Sequence, residues 1–132
     1  MSSRIATRGA SAVIAALVVA LGAAPTAEAA TRRATDREAR VRFTLDGRVL
    51  TARLLRGAPA RVRRQLFGRT IKAVCGTDFN FDRGIKVRHT RLWPRGRRAV
   101  RFRFRRDISR RARWCLLEHP RGGDVAYANF PR

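Results

Sequence analysis

Arg101, Arg103 and Arg105 stand two residues apart, with Val100, Phe102 and Phe104 at the neighbouring even positions. Alternate side chains of a strand share one face and recur about 7 Å apart. The spacing therefore predicts a row of guanidinium groups backed by an apolar row. Guanidinium forks pair with carboxylate and phosphate oxygens, so the chemistry on offer is anion binding. Lys86 and Arg88 alternate in the same way with Val87 and His89. Ile85–Trp93 and Arg98–Arg105 read as a hairpin around Pro94-Arg95-Gly96-Arg97. A four-residue loop puts Arg103 opposite Arg88, Arg105 opposite Lys86 and His89 opposite Phe102, which keeps the apolar parity intact. Like charges placed opposite one another are destabilising, and a bound polyanion would relieve them. Arg95, Arg97 and Arg98 extend the field at the tip. The plain alternative is a solvated face screened by counterions. Few aromatics share the charged face, which points to polymer-backbone or headgroup contact rather than base stacking.

Other reactive residue types are weaker candidates. Asp78-Phe79-Asn80-Phe81-Asp82-Arg83-Gly84 has oxygen ligands at alternate positions, like the start of a calcium loop. That pattern needs Gly at position six and Glu at position twelve, where this chain has Arg83 and His89. Glu118 and His119 beside the arginines are the parts of a small secreted ribonuclease, but adjacent strand-end residues diverge and no convergence is evident. Ser109 is the sole serine after the N-terminal segment and has no nucleophile elbow around it. No catalytic residue, metal site or cofactor is expected.

The elements that must hold these residues are strands. Val41, Phe43 and Leu45 alternate with Arg40, Arg42 and Thr44, and Asp46-Gly47 reads as a two-residue hairpin turn. Residues 59–67 predict a short helix, with Pro59 at its start, Val62 and Leu66 four apart, and Gly68 after its end. Thr70–Cys75 is a third strand. Asp107 suits the cap of a single turn over Ile108–Ala112. Arg113–Glu118 is apolar on both faces and hence central, and Asp124–Phe130 is the last strand. The expected fold is mostly β: a small antiparallel sandwich or barrel of about seven strands with one short helix.

Residues 1–29 have the three parts of a secretory signal: Arg4 and Arg8, the apolar run from Ala12 to Leu21, and Ala27-Glu28-Ala29 before the cut. Cleavage is expected before Ala30, followed by a loose polar arm over residues 30–38 and a basic β-rich domain over residues 39–132. The dense apolar run is too short for a membrane anchor of about 20 residues, so no span is expected in the mature chain. Export permits a disulfide between Cys75 and Cys115, the two cysteines.

The whole chain of 132 residues carries 31 Lys+Arg against 9 Asp+Glu, a net charge of +22. Arginine outnumbers lysine 29 to 2, which a GC-rich codon bias explains, but no such bias explains the shortage of acids. So basic a chain attracts polyanions. With intracellular nucleic acid removed by export, the expected partners are anionic polymers or lipid headgroups of the cell envelope. The expectation is thus a secreted or envelope-located, non-enzymatic basic domain. A secreted nuclease, or a partner-binding module whose charge serves solubility alone, are the alternatives.

Overall fold

Alternating apolar and polar residues form the strands of this fold. The computed structural model describes residues 30–131; the expected export signal lies outside the described residues. Among the described residues the strands are β1 (Thr31–Asp36), β2 (Val41–Asp46), β3 (Val49–Leu54), β4 (Arg69–Gly76), β5 (Lys86–Trp93), β6 (Ala99–Arg103), β7 (Trp114–Glu118) and β8 (Asp124–Asn129), with one helix, α1 (Ala60–Leu66), between β3 and β4. They form two antiparallel four-stranded sheets, in the orders β1-β2-β3-β6 and β5-β4-β7-β8. The result is a sandwich and not a closed barrel. No helix among the described residues is long and apolar enough to cross a membrane.

One core fills the space between the sheets. Phe43, Leu45, Leu50, Phe102, Ile71, Leu117 and Trp93 are completely buried in it. Helix α1 closes one end of the sandwich with Val62 and Leu66, the buried residues on its inner side. Pro59 stands at its N-terminal boundary as the spacing predicts.

Strand β1 corrects the expected loose arm. Its six residues pair in full with β2, from Thr31 opposite Asp46 to Asp36 opposite Val41. Ala34 alone among them is buried, because β1 is an edge strand with little core to cover. The β2–β3 hairpin forms with its turn one residue later than expected. Asp46 pairs with Val49, so Gly47-Arg48 is the turn, and Leu45 meets Leu50 instead of Arg48. Gly47 has φ 59°, and Arg48 has no positive φ, the requirement of a turn that is left-handed at its first central residue only. Face parity survives the shift.

Cys75 and Cys115 lie directly opposite on β4 and β7 and form the disulfide, with Cα atoms 4.1 Å apart. Both are fully buried. Closing a segment of 40 residues stabilises the fold by about 4 kcal/mol in the chain-entropy picture. Strand β7 is central as expected, flanked by β4 and β8. Trp114 covers the outer side of this region: a Cβ on Gly76 would stand 2.5 Å from its ring, and its Nε1 donates to Asp78 O at 2.7 Å.

Candidate polyanion interface

The segment from β5 to β6 is not a hairpin. Strand β6 pairs with β3 in one sheet, and β5 pairs with β4 in the other. Arg103 therefore lies opposite Val49, and Arg101 opposite Thr51. Arg88 lies opposite Val74, and Lys86 opposite Gly76, on the outer face of the second sheet. Arg105 lies beyond the end of β6. The expected Arg103–Arg88 and Arg105–Lys86 pairs do not exist, and the ladder is split between two faces. The physical reason is that both strands contribute their apolar rows to one core from opposite sides, which produces the same alternation as a hairpin. A different like-charge pair does occur: Arg42 on β2 is directly opposite Arg53 on β3.

Although β5 and β6 are not ladder partners, they meet along a seam at the sandwich edge. His89 Nδ1 accepts a bond of 3.1 Å from the backbone N–H of Arg103. The His89 and Phe102 rings stack edge to face, 6.1 Å apart. Arg91 Nη1 donates to Arg101 O at 2.8 Å. At the opposite edge, Asp36 Oδ2 accepts from Tyr127 N–H at 2.8 Å and joins β1 to β8.

Charge is distributed unequally about these two edges. Residues 47–77 and 83–106 contain no Asp or Glu; together they hold 17 of the 29 arginines and both lysines. These runs build β3, α1, β4, β5 and β6. In space β3, β6, β5 and β4 are consecutive around the sandwich, so the acid-free runs form one lateral half centred on the β5–β6 seam. The rest of residues 30–131 holds nine arginines and eight carboxylates. Asp78, although in the β4–β5 loop, is tied by its carbonyl to Trp114 of β7. Among the described residues the one ion pair is Lys72 with Glu118, at 3.0 Å.

Two grooves mark the acid-free half. The first lies at the seam, has a volume of about 380 Å³, and is lined by Thr51, Arg53, Arg91, Arg97 and Arg101, with Ala99 and Val100. The second lies at the helical end, has a volume of about 620 Å³, and is lined by Ala60, Arg63, Arg64, Phe67, Arg69 and Arg95. Neither has a carboxylate in its wall. Arg95, Gly96 and Arg97 connect them, held by Trp93 Nε1 donating to Arg97 O at 2.7 Å. A smaller depression between them is walled by Arg63, Phe67, Gly96 and Arg98. Of the residues expected from the sequence, Arg95, Arg97, Arg98 and Arg101 thus come together, whereas Lys86, Arg88, Arg103 and Arg105 line neither groove. Arg53, Arg63, Arg64, Arg69 and Arg91 are additions. The signal that finds them is the length of the two acid-free runs.

The other candidates are engaged elsewhere. Glu118 is held by Lys72, while His119 Nε2 bonds to Gln65 O of α1 at 2.7 Å. Ser109 is fully buried; its hydroxyl donates to Asp107 Oδ1 at 2.6 Å and accepts from Ala30 N at 3.2 Å. In the 78–84 loop the carboxylate and amide oxygens accept backbone N–H groups, Asp78 from Asn80 and Asn80 from Asp82. Among the described residues no group of three or more His, Cys, Asp or Glu could hold a metal ion.

Comparison with protein-family models, with curated proteins and with solved structures finds no match for this chain.

Proposed function

We propose that this chain is an exported, non-enzymatic domain that binds anionic polymers or lipid headgroups of the cell envelope through its acid-free half. The segregation of charge carries this reading. Cations needed only for solubility work when interspersed with carboxylates. Here six of the eight carboxylates of residues 30–131 lie in β1, β2, β7, β8 or the connections that lead into them, and two lie in the β4–β5 loop, while the acid-free runs carry nearly all the excess. Nineteen cations on one half set up a directional field that concentrates polyanions there. The buried disulfide is in keeping with an oxidising compartment outside the cytoplasm.

Arginine-selective dicarbonyl modification, with and without heparin, tests the reading by peptide mass. Heparin is expected to protect arginines within residues 47–77 and 83–106 and to leave those at 37, 110, 111 and 121 reactive. Uniform protection, or none, contradicts it.

A further inference from the structure

We infer that the ligand is a linear polymer with closely spaced oxyanion groups, lying in both grooves along one path; this rests on the polyanion reading above. The seam groove opens where two sheets meet, between Arg101 of β6 and Arg91 of β5. The second groove lies at the end of the sandwich, between α1 and the β5–β6 connection. The arginines therefore turn a corner, from the side of the molecule to its end. A lipid surface is locally flat and touches one of these aspects at a time. A flexible chain follows both.

The grooves are close enough for one chain. Arg97 lines the first and Arg95 the second, and residues two apart in a chain lie at most about 7 Å apart. The path holds eight guanidinium groups in two sets of four, with Thr51 as a hydroxyl donor in the first. Each guanidinium can take an oxyanion in a forked pair of hydrogen bonds. Phe67 is the one aromatic on the path, so the polymer is held through its charged groups and not by ring stacking. A chain long enough for one groove reaches four arginines, and one that spans both reaches eight. Affinity should therefore climb with polymer length and level off once both grooves are filled.

The experiment measures binding of oligo(dT) and oligoglutamate of graded length, and of phosphatidylglycerol vesicles, in low salt. It compares the wild type with Arg91→Gln/Arg97→Gln and with Arg64→Gln/Arg69→Gln. The expected result is tighter binding of long oligomers than of vesicles. Each double variant should lose at least about tenfold in affinity for long oligomers and lower the log–log salt slope by about 1.4, two contacts on a single strand. Each should also level off at a shorter length. The tighter of the two oligomers assigns phosphodiester or carboxylate as the natural oxyanion. Vesicles that bind more tightly than any oligomer overturn the polymer and leave the broader reading standing. So do oligomers that bind the wild type and both variants equally. Absence of binding to all three probes overturns both.

Discussion

His89 on β5 accepts a hydrogen bond from the backbone of Arg103 on β6, and so joins the two sheets at the edge where the arginines gather. The acceptor is Nδ1, which must be unprotonated to receive an N–H. The ring also packs against Phe102. This contact holds the seam groove's two walls, β5 and β6, at a fixed separation.

Replacing His89 by Phe keeps a ring against Phe102 and removes the acceptor. The loss is expected to be about 1 kcal/mol, the net value of one hydrogen bond. The sharper readout is hydrogen exchange: the Arg103 amide should exchange faster in the variant, with little change in amides of the central strands β4 and β7. Unchanged Arg103 protection would show that the seam is held without His89.

Arg42 and Arg53 face each other across β2 and β3. Directly opposed like charges destabilise a sheet, and opposite charges add roughly 0.2–1 kcal/mol. Arg42→Glu is therefore expected to raise stability by about 1 kcal/mol in denaturant unfolding at low salt. The gain should shrink as salt screens the pair. A destabilised variant would show that other neighbours satisfy Arg42.

Tyr127 is the sole tyrosine of the chain. Burial beside Trp114 and Phe81 raises its pKa above the usual value of 10.0, opposed in part by the Asn129 side chain. Phenolate absorbance should therefore titrate at higher pH in the folded protein than in denaturant. Because the folded pKa is the higher one, this contribution to stability is complete below pH 10 and fades as pH rises through the folded value. A midpoint at or below that of the unfolded chain would contradict the burial.

The strands were legible in the sequence where they alternate over a core, and their partners were less so. The β2–β3 hairpin shows why: Phe43, Leu45 and Leu50 declare the buried face, but the turn was misplaced by one residue because Asp46-Gly47 and Gly47-Arg48 both preserve parity. The β5–β6 segment is the harder case. Val87 and Trp93 reach the core from one sheet, Val100 and Phe102 from the other, and alternation alone cannot distinguish a facing strand from a paired one. Strand β1 was hidden because only Ala34 is buried among polar neighbours. Of the candidate site, Arg95, Arg97, Arg98 and Arg101 were legible in the sequence. Arg53, Arg63, Arg64, Arg69 and Arg91 were not, since only the sheet order brings the two acid-free runs side by side.

Central to the account is that position, and not net charge, makes the surface. Two quadruple variants of equal charge test it. One replaces Arg53, Arg63, Arg97 and Arg101 by Gln, all in the acid-free half. The other replaces Arg37, Arg110, Arg111 and Arg121, all exposed and all outside it. Affinity for heparin at fixed moderate salt is the measurement. The first variant is expected to lose about a hundredfold or more, as four cation–anion contacts are removed, and the second to stay within a few-fold of the wild type. Equal losses in the two would show that overall charge alone attracts the polymer, and would contradict the account.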